Sequence, residues 1–190
     1  MKKLWQNNLF KLPVFLLLVG VICTAALAIV NFFTASTIET NEKNAVLNAI
    51  KSSFNNHEDY ESFEIEEVDY SEELLSLGIT AKDIVKDSSS NVVGYVYVGT
   101  VQGFADKISF VASYENNKFH KLKVTYEQES NKKGINYIVA NYVDYDLSST
   151  NFFETSEYAT GVSGASMTGK KGLIEALNAC SEDYLASVRS

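Results

Sequence analysis

Residues 92–126, with the sequence VVGYVYVGTVQGFADKISFVASYENNKFHKLKVTY, decide the fold class of this chain. The run from Val92 to Val101 is rich in valine and tyrosine, which is typical of a buried strand. Apolar residues recur at every second position in 108–114 and again in 122–126, on the two sides of the turn-forming segment 115–118. The stretch therefore predicts a β-rich core that contains an antiparallel hairpin.

Helical patterns flank this core on both sides. Within 37–54, three apolar residues recur every four positions, which indicates a helix with one apolar face. The segment from about Met167 to Val188 carries a longer stripe at helical spacing, formed by Leu173, Leu177, Cys180, Tyr184 and Val188. The alternation in 63–68 suggests a strand, 74–79 suggests a short helix that stops at Gly78, and 135–145 fits either a helix or a strand.

The N-terminal part of the chain predicts a membrane anchor. Residues 12–33 are apolar except for Thr24 and Asn31 and carry no charge. About 22 residues at a rise of about 1.5 Å each cross a hydrocarbon core of about 30 Å. The residues before this run carry only basic charges and mainly acidic ones follow it, so the N-terminus is expected in the cytoplasm and the rest outside.

The alternative to a retained anchor is a cleaved signal peptide, with Ala26-Leu27-Ala28 as the cleavage site. The apolar stretch continues beyond that site to Phe33, whereas a cleavage site normally closes the apolar region. Ile22, which precedes Cys23, is too bulky for a lipoprotein signal. These features favour the retained span.

Composition excludes several classes of protein. The net charge of -8, with 46% apolar and 21% charged residues, suits a folded domain and argues against a nucleic-acid partner. Two cysteines, Cys23 and Cys180, are too few for an iron–sulfur cluster or a zinc site, and we expect no disulfide between them. His57 and His120 are expected at the surface, and we expect no metal site. Any redox chemistry must therefore come from an organic cofactor.

A short motif precedes the last helix: Ser163-Gly164-Ala165-Ser166-Met167-Thr168, followed by Gly169-Lys170-Lys171. Small residues permit a tight turn, and the free N–H groups at a helix start attract an anion such as a phosphate. Lysines in the first turn oppose the helix dipole unless an anion is present. The motif therefore predicts a phosphate site next to a free hydroxyl, although a Gly/Ser turn with an ordinary helix cap is the simpler alternative.

These residues resemble the flavinylation motif of the FMN-binding domain family, Ser/Asp-Gly-Ala-Ser/Thr-x-Ser/Thr. The resemblance implies that FMN is joined by a phosphoester to Thr168, and that a Mg-dependent flavin transferase, using FAD, makes the bond. Together with the two lysines expected to hold the phosphate, the expected cofactor-binding residues are Thr168, Ser163, Gly164, Ala165, Ser166, Met167, Lys170, Lys171, Glu129 and Ser130.

The layout of the whole chain is similar to the G component of the Rnf electron transport complex, and more distantly to the C component of the sodium-translocating NADH:quinone reductase. Two loops depart from the family pattern. The family sequence Glu-Thr-Pro-Gly-Leu-Gly, in a loop near the flavin, corresponds to Glu129-Ser130-Asn131-Lys132-Lys133-Gly134, and a Gly-Tyr-Gly-Gly-like turn corresponds to Gly103-Phe104-Ala105-Asp106.

The resemblance implies a flavoprotein subunit that relays electrons within a membrane complex coupling electron flow, from ferredoxin to NAD in the Rnf case, to ion movement. Its partners would be the other membrane subunits, and alone it would not catalyse the overall reaction. Two alternatives stay open: a stand-alone surface flavoprotein for extracellular electron transfer, and a membrane-anchored binding or scaffolding domain without a cofactor.

The expected fold class is α+β, with one N-terminal transmembrane helix and an extracytoplasmic domain in which helices flank a small antiparallel sheet. The expected domain boundaries are a cytoplasmic N-terminus at 1–11, a transmembrane helix at 12–33, a stalk helix at 34–56 and an FMN-binding domain at 57–190.

Overall fold

A computed structural model describes residues 8–129, 132–147, 153 and 165–189, with 8–11, 36 and 165–170 described by their backbone only. The chain divides into two compact units, Met1–Asn44 and Ala45–Ser190. The first helix, α1 (Asn8–Ser53), contributes residues to both units. The boundaries between cytoplasm, membrane and exterior expected from the sequence remain predictions.

In the first unit, the charge-free run 12–33 forms part of α1 and exposes its apolar side chains. The exposed fraction reaches 78% at Phe32 and 69% at Leu17. The described part of the chain contains one helix that is long and apolar enough to cross a membrane, with a mean hydropathy of 2.7 over its most apolar window. So much contiguous apolar surface is stable against lipid rather than water.

In the second unit, the described strands form a six-stranded antiparallel sheet in which each strand pairs with the next along the chain. The strands are β1 (Glu64–Val68), β2 (Ile79–Lys86), β3 (Val92–Gln102), β4 (Lys107–Glu115), β5 (Lys118–Tyr126) and β6 (Tyr145–Asp146). Besides α1, the α-helices are α2 (Glu72–Ser76), α3 (Lys133–Asn141) and α4 (Ala165–Arg189), and a 3-10 turn covers Tyr60–Ser62.

The predicted hairpin is formed by β4 and β5. Its turn contains Asn116 and Asn117, whose φ angles of 53° and 60° lie in the left-handed region that asparagine tolerates. A pair of left-handed residues matches the twist of the two strands and sets their register, with Glu115 opposite Lys118.

Each face of the sheet has its own apolar core. One face, with Tyr97, Phe110 and Tyr114, packs together with α4 residues such as Leu173 and Leu177. The other face packs against the end of α1 and the residues that follow it, in a cluster formed by Ala49, Ile50, Phe54, Phe63, Val85, Val96 and Val111. Burial on both faces explains why β3 is a nearly continuous run of valine and tyrosine in the sequence.

The α+β class with an antiparallel sheet and flanking helices is confirmed. The ambiguous stretch 135–145 lies mainly in helix α3, and β2 is a strand that the sequence pattern did not indicate. The expectation of a surface position is wrong for His120, which is 5% exposed. Its Nδ1 lies 2.5 Å from Oδ1 of Asp144, an exposed residue, and its ring stacks on Phe54.

Candidate functional site

The motif predicted to receive the flavin leads into α4. The helix begins at Ala165, so the backbone of Ser166, Met167 and Thr168 forms its first turn and Lys170 follows in the second. The backbone N–H groups of this turn have no partner within the helix. Ser163 and Gly164, together with Ser130, lie outside the described residues.

Two neighbouring residues show how the beginning of α4 is placed on the sheet. Lys171 is exposed, and its Nζ lies 3.7 Å from Glu175 Oε1 one turn further along. Gly172 lies against the end of β3: a Cβ built there would be 3.6 Å from Val101 Cβ and 3.9 Å from the Gln102 carbonyl oxygen. The helix therefore meets the sheet one turn after Thr168, beside the residues that lead into the turn 103–106.

The turn 103–106 connects β3 to β4 and is tied by its own hydrogen bonds. Gly103 N–H donates to the Asp106 carbonyl oxygen at 2.9 Å. The Asp106 carboxylate accepts from Tyr126 Oη at 2.7 Å and from Lys107 N–H at 2.7 Å. The hydrogen bond from Tyr126 lowers the pKa of Asp106, and that from Lys107 N–H adds to the effect, so the carboxylate is ionised at neutral pH.

Glu129 joins this turn to the segment that follows β5. Its side chain is buried, with 5% of the residue exposed, and its Oε1 accepts from Phe104 N–H at 2.6 Å and Ala105 N–H at 3.1 Å. Gly103 is required at this point, because a Cβ there would lie 2.1 Å from Glu129 Oε1 and 2.4 Å from the Asp106 carbonyl oxygen. A single carboxylate thus holds the two loops that the family resemblance places near the flavin.

The segment after Glu129 differs from the loop expected at 129–134. Helix α3 already begins at Lys133, and Gly134 is buried within it. Lys132 pairs with Glu127, whose Oε2 also accepts from Glu129 N–H at 2.9 Å. Lys133 and Gly134, which correspond to Leu-Gly of the family sequence, therefore lie in a helix.

The sequence did not predict the polar anchor that fastens α4 to the sheet. Asp183 Oδ2 accepts from Tyr97 Oη at 2.6 Å and from Lys82 Nζ at 2.6 Å, and the same ammonium donates to Ser187 Oγ at 2.8 Å. Burial raises the pKa of Tyr97, and the hydrogen bond to Asp183 raises it further, so this phenol stays protonated. The sequence feature that could have indicated these contacts is Asp183, a charged residue that lies between Cys180 and Tyr184, beside the apolar stripe of the helix.

The described residues contain no group of three or more His, Cys, Asp or Glu side chains that could hold a metal ion. The groups that the structure offers around the beginning of α4 are instead those suited to an anion and a planar cofactor. They are a helix start, the exposed cation of Lys171, and a turn fixed by Glu129 that leaves Phe104 63% exposed. These residues fit a phosphate-linked organic group.

We expect Glu129→Gln to loosen the turn 103–106. The amide keeps one acceptor oxygen but places an N–H₂ group in a buried site lined by donors, so the free energy of unfolding should fall by about 1–3 kcal/mol. The measurement is urea unfolding of the full chain in detergent. Gln128→Ala, an exposed neighbour, is the matched control and should change stability by less than about 0.5 kcal/mol. Equal effects of the two substitutions would contradict the role given to Glu129.

Comparison with known proteins gives a match over the N-terminal region. Residues 1–52 match the family described as the RnfG N-terminal region. No curated protein matches the chain. The match and the exposed apolar helix together indicate a membrane-anchored chain. Over its N-terminal region the chain resembles the G component of the Rnf complex, and this supports its assignment as an Rnf complex subunit.

Proposed function

We propose that this chain is the electron-carrying flavoprotein subunit of an Rnf-type membrane complex, with FMN covalently attached to Thr168. The complex would couple electron transfer from ferredoxin to NAD to the movement of ions across the membrane. Nothing in the sequence resembles a G-x-G-x-x-G nucleotide fingerprint, so this subunit would act as a relay and would not catalyse the overall reaction alone.

The observation that carries the proposal is the position of the motif. The attachment residue of the flavinylation pattern stands in the first turn of α4, a helix that is fastened to the sheet by Asp183. The N-terminal match to RnfG is independent of this motif, because it ends at residue 52. Two separate parts of the chain therefore support the same family.

The attachment step would be carried out by a flavin transferase that uses FAD. A bond would form between Thr168 Oγ1 and the FMN phosphorus while the pyrophosphate bond of FAD breaks and AMP leaves. The Thr168 hydroxyl proton would be removed by the transferase, since no base of this chain is described beside it. The resulting phosphodiester would carry one negative charge at a helix start, where the dipole and the positive charges of Lys170 and Lys171 favour it.

FMN, when bound, supplies one- and two-electron redox chemistry. The protein would retain the cofactor and restrict its position. The sheet domain would lie outside the cytoplasm, and FMN that dissociated there would be lost. The covalent bond would prevent this dissociation. Glu129 and Gly103 hold the turn 103–106 in one conformation, and this turn follows directly on the part of β3 that contacts Gly172. A fixed surface beside the attachment helix would limit the positions open to a tethered ring.

The proposed topology has residues 1–11 in the cytoplasm, the span 12–33 in the membrane and the sheet domain outside. The partners would be the other membrane subunits of the complex, which supply the binding sites for ferredoxin and NAD and the neighbouring redox centres. The flavin transferase would act on the extracytoplasmic domain during maturation.

The test is purification of the tagged chain from membranes of cells that also express the transferase and the remaining subunits. We expect a yellow protein whose band stays fluorescent on a denaturing gel, and which brings the other subunits with it. A fluorescent protein that comes without them would favour a stand-alone flavoprotein. A colourless protein of unmodified mass, with the transferase active on a control substrate, would favour a cofactor-free scaffold.

A further inference from the structure

One face of the membrane-spanning part of α1 is formed by small and polar side chains. With about 3.6 residues per turn, the helix brings together Gly20, Thr24, Ala28 and Asn31, which we call the small-residue face. The opposite side of the helix carries exposed bulky apolar side chains, which include Leu18, Ile22, Ile29 and Phe33. A shallow groove follows the small-residue face and is lined by Leu17, Gly20, Val21, Thr24, Ala25 and Ala28.

The described residues give no reason for a glycine at position 20. A Cβ built on Gly20 meets no other atom of the described chain within 4 Å. Glycine in the interior of a helix is less favourable than alanine by about 1 kcal/mol, and no contact of this chain offsets that cost at Gly20. In transmembrane helices, small residues at this spacing let the backbone of a second helix approach closely.

Asn31 is a second and independent feature of the same face. The hydroxyls of Thr24, Thr34 and Thr37 each donate to the carbonyl oxygen four residues earlier in α1, at 2.8, 2.9 and 3.5 Å. The Asn31 amide, which offers two donor hydrogens and an acceptor oxygen, has no hydrogen-bond partner among the described residues. The helix therefore satisfies these three hydroxyls by itself but leaves this amide unpaired.

The position of Asn31 along the span keeps its amide away from water. The charges that flank the span most closely are Lys11 and Glu39, which lie about 42 Å apart along the helix. A bilayer with its headgroups is about 40–45 Å thick, so residue 25 lies near the midplane and Asn31 about 9 Å from it. The hydrocarbon core extends about 15 Å from the midplane, and an unpaired amide inside it is costly.

We propose that the small-residue face is the contact surface for a transmembrane helix of another subunit of the complex. The family match covers residues 1–52 and so includes the whole span. The inference rests on the proposed membership in a membrane complex and does not depend on the flavin. Gly20, Thr24 and Ala28 would admit bulky apolar side chains of the partner helix, and a polar group of that helix would pair with the Asn31 amide. The bulky side of the span would stay in contact with lipid.

The first test makes the same substitution on the two sides of the helix. Ala28→Ile fills the groove, whereas Ala26→Ile adds the same atoms at nearly the same depth on the other side. The tagged full-length chain is purified in mild detergent from membranes that contain the remaining subunits. Ala28→Ile should lower the amount of copurified subunits at least about fivefold, and Ala26→Ile should leave it unchanged. The amount of each variant in the membrane is measured through the tag, so that lost insertion is not counted as lost contact.

The amide of Asn31 is tested with two substitutions. Asn31→Leu should lower the amount of copurified subunits about threefold or more, because the hydrogen bond across the helices is lost. Asn31→Gln keeps the amide and should retain more of the copurified subunits than Asn31→Leu does. An Asn31→Leu chain that copurifies as well as the wild type would overturn the role given to this amide.

Photo-cross-linking in membranes identifies what lies on the face. A photoreactive amino acid at Leu17 or Val21, which line the groove, should form a covalent adduct with another subunit. The same amino acid at Ile22 or Ile29, on the opposite side, should form none. Adducts between two copies of this chain would overturn the proposal, since the face would then be a homodimer contact. Equal adducts from both sides of the helix would overturn it as well.

The same purification separates this inference from the proposed function. If the wild-type chain brings no other subunit with it, the proposed membership in a complex fails, and the inference fails with it. If the subunits copurify but Ala28→Ile and Ala26→Ile behave alike, the complex stands and only the assignment of the small-residue face is wrong.

Discussion

Thr168→Ala leaves the protein colourless and at its unmodified mass, even when the flavin transferase is present and active. The phosphoester needs a hydroxyl oxygen at this position, and alanine provides none, so the loss is complete rather than partial. The fold should persist, because alanine is the residue with the highest helix propensity and Thr168 lies in the first turn of α4. Intact mass and the visible spectrum measure the result, and the far-ultraviolet circular dichroism verifies the fold.

Two conservative variants serve as controls for Thr168→Ala. Thr168→Ser keeps the hydroxyl, and the family pattern accepts serine at this position, so the protein should stay yellow. Ser166→Ala removes a hydroxyl two residues away within the same turn and should leave an FMN attached, although more slowly if the transferase reads this residue. A Thr168→Ala protein that still gains the mass of FMN would place the attachment elsewhere in the chain.

Asp183→Leu should lower the free energy of unfolding by about 3 kcal/mol, the largest stability effect that we expect from a single substitution here. Among the described residues, it leaves the ammonium of Lys82, a residue that is 7% exposed, with the Ser187 hydroxyl and the rings of Tyr95 and Tyr97 but no counter-charge. It also removes the acceptor of the buried Tyr97 phenol. Urea unfolding of the full chain in detergent, at constant pH, measures the change.

The double variant Lys82→Met with Asp183→Leu separates the two causes of this loss. Apolar side chains of similar length remove the isolated charge, so the double variant should recover at least about half of the stability that Asp183→Leu loses. Glu182→Leu, at an exposed position of the same helix, is the matched control and should change stability by less than about 0.5 kcal/mol. A double variant no more stable than Asp183→Leu would show that the ion pair is not the source of the effect.

The parts of the fold that the sequence predicted are those in which pattern and burial agree. The hairpin of β4 and β5 places alternating residues on one core, so its period of two is visible in the sequence. Helix α4 buries one stripe on the sheet, so its period of about 3.6 is visible as well. In both elements the apolar residues mark the buried positions.

Strand β2 was missed for a physical reason. Lys82 and Asp83 are adjacent charges, which in a sequence normally indicate an exposed segment, yet both are buried, on opposite faces of the sheet. Lys82 is compensated by Asp183, a residue that lies about one hundred positions later in the chain. No local sequence pattern indicates that Lys82 pairs with Asp183. The pairing of His120 with Asp144 is likewise not visible in the local sequence.

The candidate site also has one part that the sequence predicts and one part that only the structure shows. The motif at 163–168 is contiguous and its chemistry depends on local residue types, so it can be recognised in the sequence alone. The role of Glu129 depends on the distance between two loops that are about 25 residues apart, which only the folded chain defines. The family resemblance pointed to both loops, but the carboxylate that joins them is a finding of the structure.

The most direct test of the central claim is tandem mass spectrometry of the tryptic peptide that spans residues 134–170, from protein matured with an active transferase. The account predicts a peptide heavier by FMN minus one water, with fragment ions that place the added mass on Thr168. An unmodified peptide would contradict the claim, and so would a modification located on Ser163 or Ser166.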